Sequence, residues 1–130
     1  MTICIIPARS GSKRIKNKNI QKINNIPLVV HAIEIAKASK IFEKIIVSTN
    51  SKKIANIAIK AGAIVPYIRE SKLAKDHVTT FSVLKDVIQK LKIKNEYFFC
   101  IYPTAILIKK QYLKEAFSKI KKINYDGLIA

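Results

Sequence analysis

Glycine and acidic side chains are scarce in this sequence: three glycines and eight Asp or Glu occur in 130 residues, against 25 Lys and Arg. With so few glycines, neither the G-x-x-x-x-G-K-[ST] phosphate loop nor the G-x-G-x-x-G dinucleotide fingerprint is present. The acidic residues are Glu34, Glu43, Glu70, Asp76, Asp86, Glu96, Glu115 and Asp126, and they form no paired cluster along the chain. No apolar run approaches the roughly 18 residues of a membrane helix, so no membrane contact is expected. Low-complexity stretches and linkers are also missing, and residues 1–130 read as one compact unit. Met1-Thr2-Ile3 leads straight into an apolar strand, with no basic segment, apolar core and cleavage site ahead of it; a cytoplasmic protein is expected. The two cysteines, Cys4 and Cys100, lie in separate apolar runs without CxxC or metal-ligand spacing. Reduced, buried thiols follow.

What is present in excess is lysine. The formal charge of +17 invites a nucleic-acid reading, since cations displace counterions from polyanions. The pattern argues otherwise: Arg9, Arg14 and Arg69 are the only arginines, while lysines recur along every amphipathic segment. Readers of base edges favour the guanidinium fork, and single-strand binders interleave aromatics with their basic groove. Solvated lysine faces are the favoured reading, and a lysine-rich nucleic-acid binding module is kept as the rival.

Apolar periodicity gives a repeated strand–loop–helix rhythm. Ile3, Cys4, Ile5 and Ile6 form a first strand that breaks at Pro7. Leu28, Ala32, Ile33 and Ala36 mark a helix, and residues 44–48 a second strand. Ser51 caps a helix carrying Ile54, Ile57 and Ala58, which Gly62 stops before a third strand at 63–67, where Pro66 suggests a sheet edge. Thr79 or Thr80 opens a helix with Val83, Leu84 and Val87. A fourth strand covers 97–101, a last helix carries Leu113 and Phe117, and a fifth strand begins at 128–130. Alternation of this kind predicts an α/β, Rossmann-like three-layer sandwich with a mostly parallel sheet of order 3-2-1-4.

In that order the sheet reverses between strands 1 and 4, and ligands bind outside the carboxyl ends of those strands. The loop after strand 1 carries five positive charges, Arg9, Lys13, Arg14, Lys16 and Lys18, among small residues that let backbone N–H groups approach an anion. It should face the turn Tyr102-Pro103-Thr104-Ala105 across one crevice. A phosphorylated ligand is the expectation, with solvated loop charge as the plain competitor.

The residues Ile6-Pro7-Ala8-Arg9-Ser10-Gly11-Ser12-Lys13-Arg14-Ile15 with Lys18-Asn19-Ile20, then Ile46-Val47-Ser48-Thr49, then Tyr102-Pro103-Thr104-Ala105 resemble the signature segments of the acylneuraminate cytidylyltransferase (CMP-sialic acid synthetase) family. Within it, Asp76-His77-Val78-Thr79-Thr80 and Cys100-Ile101-Tyr102-Pro103-Thr104-Ala105 look most like the branch that activates pseudaminic acid. The resemblance runs over essentially all 130 residues. It implies a nucleotidyltransferase of GT-A-like type that moves CMP from CTP to the anomeric hydroxyl of a nonulosonic acid, pseudaminic or sialic, and releases pyrophosphate. Carried over position by position, Arg9 and Lys18 hold the triphosphate and act in catalysis. Gly11, Ser12, Asn19, Pro103 and Thr104 complete the nucleotide site, and Thr80 serves it either as a ligand or only as a helix cap. Arg69 and Asp76 meet the sugar substrate. Members of the family continue well beyond position 130, where the ligands for Mg²⁺, much of the sugar pocket and the homodimer contacts are expected. The chain therefore reads as the amino-terminal, nucleotide-binding portion of a truncated domain. A CTP-binding fragment without catalysis is the second alternative.

Overall fold

A computed structural model of the protein describes residues 2–94 and 97–122. Three parallel strands form its sheet: β1 (Ile3–Pro7) lies in the middle, with β4 (Lys44–Ser48) on one side and β5 (Phe98–Cys100) on the other. Ile5 stands opposite Ile46 on β4 and Cys100 on β5. Because both faces of β1 are covered, nearly every residue in it is apolar and buried, as a central parallel strand requires.

The pleat sorts these side chains into two cores. Cys4, Ile6 and Ala8 pack on one face with Val29, Ala32, Ile33 and Ala36 of α1 (Leu28–Ser39), Ile54 and Ala58 of α2 (Lys52–Lys60), and Leu113 of α4 (Lys110–Lys122). On the other face, Ile3, Ile5 and Ile46 meet Val87 of α3 (Thr80–Lys90), flanked by Tyr67, Leu84 and Ile88. Helix, sheet and helix thus make the three layers that the alternation implied, and each fully buried Ile or Val contributes about 1.5–3 kcal/mol.

Three expectations are corrected. The third strand at 63–67 does not form; single parallel bridges join Ile46 to Ile64 and Thr49 to Ile68 instead. Pro66 between them has no N–H to donate, which interrupts a ladder. The segment still runs beside β4, so the strands drawn as ladders give the order second, first, fourth. The fourth strand is shorter than 97–101, and Cys100 in it is only partly buried, whereas Cys4 is fully buried. Burial pushes the Cys100 thiol up to about 11, so it remains protonated near neutrality. Finally, Thr79 caps α3, accepting from the Ser82 N–H, and Thr80 is the first helical residue. The fifth strand at 128–130 lies outside the described residues.

One element went unread. Lys22–Ile23 (β2) and Ile26–Pro27 (β3) pair antiparallel around Asn24 and Asn25, both left-handed at φ 52° and 62°. Two consecutive Asn residues tolerate this tight hairpin turn better than most residue pairs. The His31 ring lies against it, its Nε2 2.7 Å from the Ile23 carbonyl oxygen. Among the described residues no helix is long and apolar enough to cross a membrane.

Candidate functional site

The loop leaving β1 is clamped at several points. The Ala8 N–H donates to the Ser48 carbonyl at 2.9 Å, extending the β1–β4 ladder one residue past the strand. Ser10 is then pinned by Asn50: its N–H donates to Oδ1 at 2.9 Å, and Nδ2 donates to its hydroxyl oxygen at 3.0 Å. Gly11 takes a left-handed φ of 78°, a turn that disfavours a side chain although a Cβ there would meet open space. From the far end of the loop the buried Asn19 donates to the Arg9 carbonyl at 2.7 Å. Asn19 sits in a 3₁₀ turn (Lys18–Ile20) entered through left-handed Asn17. Two asparagine amides therefore hold the backbone at Arg9 and Ser10, just ahead of Gly11.

Opposite lies the turn that follows β5. The Ile101 N–H donates to the Ile5 carbonyl at 3.1 Å, and the Ala105 N–H closes the bend on the Tyr102 carbonyl at 3.0 Å. The hydroxyls of Tyr102 and Thr80 meet at 2.6 Å, tying the start of α3 to this turn.

Between the two segments is a cavity of about 130 Å³ at the carboxyl ends of the strands. Arg9, Ser12, Lys18 and Asn19 line it from the loop, Pro103 and Thr104 from the turn, and Arg69 and Thr80 from the flanks. Gly11 and Asp76 line a wider, more open recess of about 690 Å³, and Arg9 borders both. Lys13 reaches only the wider recess, while Arg14 and Lys16 are exposed and line neither. His77 is an exposed wall residue of the wider recess.

Charge in the smaller cavity is of one sign. Arg9, Lys18, Arg69 and Lys75 line it, and no carboxylate does. Arg69 is 3% exposed. It donates from Nη2 to the Ser48 carbonyl at 3.2 Å and from Nη1 to the Leu73 carbonyl at 3.4 Å, while its buried Nε has no partner. Among the described residues no carboxylate pairs with it. Burial pulls its pKa down, Arg9 adds to that, and Tyr67 and Asp86 oppose it. A buried guanidinium of this kind gains from an anion brought by a ligand.

Asn50 and Lys75 were not singled out in the sequence. Asn50 directly follows the strand segment Ile46-Val47-Ser48-Thr49, and a polar residue at the carboxyl end of a parallel strand was the available signal. Lys75 carried none beyond its charge.

No three of His, Cys, Asp and Glu come together among the described residues in a way that holds a metal ion. Asp76, the one carboxylate lining either cavity, is already paired with Arg9 at 2.6 Å and Lys13 at 2.9 Å. The described residues do not fit Mg²⁺ by themselves.

Sheet, loop and turn together define an α/β domain whose cationic crevice suits a phosphorylated ligand. The chain belongs to the cytidylyltransferase family, whose model matches residues 3–128. It is 38% identical over 120 residues to the pseudaminic acid cytidylyltransferase of Campylobacter jejuni subsp. jejuni serotype O:2, covering 90% of this chain and 52% of that protein. It is 35% identical over 131 residues to the CMP-N,N'-diacetyllegionaminic acid synthase of Legionella pneumophila, covering 98% of this chain and 56% of that protein. The chain thus spans about half the length of the curated relatives it matches. Among solved structures, a CMP:2-keto-3-deoxy-manno-octonic acid synthetase complexed with CTP superimposes with a TM-score of 0.77 at 19% identity, over 95% of this chain and 48% of that one. That likeness is one of fold.

Proposed function

We propose that this chain forms the CTP-binding part of a cytidylyltransferase that transfers CMP from CTP to the anomeric hydroxyl of a nonulosonic acid of the pseudaminic or sialic type. The observation that carries the reading is the convergence of Arg9, Ser12 and Lys18 with Pro103 and Thr104 around one carboxylate-free cavity. In the proposed reaction the anomeric oxygen attacks the α-phosphorus in line and the bond from that phosphorus to the α,β-bridging oxygen breaks, so that pyrophosphate leaves with that oxygen and the hydroxyl proton is lost to solvent or a base. Chemistry of this kind needs positioning and charge stabilisation more than covalent help.

Arg9 and Lys18 hold the triphosphate and stabilise charge on it as pyrophosphate departs. Ser12 donates to a phosphate oxygen, Gly11 sets the turn that aims the loop, and Asn19 keeps it in place. Pro103 and Thr104 shape the nucleotide pocket with Thr80 beside them. Arg69 supplies an internal positive charge for the carboxylate or phosphate of a substrate, and Asp76 stands at the sugar side. The Mg²⁺ proposed for this reaction takes its carboxylates from sequence outside the described residues, as do the remaining sugar contacts and the homodimer interface.

Calorimetric titration with CTP, ATP and a short oligonucleotide in magnesium buffer tests this. The proposal expects CTP to bind in preference to ATP; steeply salt-sensitive oligonucleotide binding with no CTP preference would overturn it in favour of a nucleic-acid module. A product assay with CTP and pseudaminic acid then separates an enzyme from a CTP-binding fragment.

A further inference from the structure

The Arg9 guanidinium is already engaged. Its Nη1 donates to the Gly11 carbonyl at 3.2 Å and the Ala74 carbonyl at 3.4 Å, and its Nη2 lies 2.6 Å from Asp76 Oδ1. Lys13 Nζ lies 2.9 Å from Oδ2 of the same carboxylate. Asp76 therefore sets two oxygens on two cations of the loop, the arrangement a phosphate group would also adopt there. Around it, the Ala74 N–H bonds to Ser71 and the Val78 N–H to Lys75, both local turns. Ser71, Lys72, Lys75, Asp76 and His77 are all exposed. Hence residues 73–76 are tied to the β1 loop and to Arg69 through three cations: Arg9 to Ala74 and Asp76, Lys13 to Asp76, and Arg69 to Leu73.

We infer that Asp76 is an internal competitor for the polyphosphate, holding residues 74–76 against the β1 loop until phosphate oxygens replace its carboxylate on Arg9 and Lys13. This rests on the reading of Arg9 as a phosphate ligand. The exchange frees Asp76 from Arg9, which lines both recesses, and from Lys13, which lines the wider one. It gives Asp76 a role opposite in sign to that of a substrate contact: removing its charge strengthens polyphosphate binding. Because Asp76 and Lys13 are solvent-exposed, the competing pair is weak enough for a ligand to displace.

The test is calorimetric titration of the 130-residue chain with inorganic pyrophosphate, comparing wild type, Asp76→Asn, Asp76→Ser and, as a control for bulk charge, Glu34→Gln. Glu34 pairs with Lys37 on α1 and lines neither cavity. Both Asp76 variants should bind about three- to tenfold more tightly than wild type, and Glu34→Gln should match wild type within about twofold. Thermal melts confirm that each variant is folded; two substitutions at one exposed position guard against the failure of either. Equal or weaker binding by folded Asp76 variants, with wild type still binding, overturns the inference and leaves the phosphate reading intact. The same gain from Glu34→Gln also overturns it, because charge alone would explain the effect. No pyrophosphate binding by any of the proteins overturns the phosphate reading and the inference together.

Discussion

Arg9 is where the loop, the neighbouring segment and the proposed ligand meet: its side chain touches Gly11, Ala74 and Asp76, and its own carbonyl is held by Asn19. Losing a charge-assisted bond to phosphate costs about 1–3 kcal/mol. Arg9→Ala should weaken CTP binding by that much, measured by calorimetry, and an unchanged affinity would remove Arg9 from the ligand set. Its loop was legible in the sequence because cations, a glycine and a hydroxyl stand directly after a buried strand. Arg69 was legible only through family resemblance. Nothing local announces that an arginine between Ile68 and Glu70 will be buried with an unpartnered Nε; that follows from its seat against the Ser48 carbonyl, 21 residues away. Asn50 was hidden for the same reason, since its partner Ser10 lies 40 residues away.

At the scale of elements, the helix starts were well marked. Ser51 accepts from the Ile54 N–H and Thr79 from the Ser82 N–H, each satisfying a donor that a helix leaves unpaired in its first turn. Thr79→Ala should lower stability by about 0.5–2 kcal/mol, read from chemical denaturation. It should also loosen the Thr80–Tyr102 contact, because the cap fixes the turn from which Thr80 projects. An unchanged denaturation midpoint would show that the cap carries no weight. The strands were less legible than the helices. β1 was unmistakable as a short apolar run, whereas 63–67 has apolar and β-branched residues yet pairs only at Ile64 and Ile68. Propensity identified an extended segment; the missing Pro66 N–H and the sparse pairing partners decided against a ladder.

For the whole molecule, the cationic surface constrains behaviour more than the fold does. Asp76 is held below the usual carboxylate range chiefly by its bond to Lys13, then by Arg9, and Glu70 chiefly by Lys72, then by Lys90. A depressed folded pKa contributes stability above the unfolded value, about 3.9 for Asp and 4.3 for Glu, and that contribution disappears as pH falls through the folded values. The melting temperature should therefore drop on acidification below about pH 4, and Asp76→Asn should blunt the drop; a level profile in that range would contradict it. The three-layer architecture could be inferred from alternation alone, and the crevice from strand order. The chemistry was legible only through the family resemblance of the signature segments, not from alternation or charge; the chain spans about half the length of its relatives, and the described residues assemble no metal site.

The most direct test is a crystal structure of this chain with CTP bound. The account predicts the triphosphate within hydrogen-bonding distance of Arg9, Ser12 and Lys18, with the Pro103–Thr104 turn against the nucleoside. CTP seated elsewhere on the lysine surface, with the crevice between the β1 loop and that turn unaltered, would contradict it.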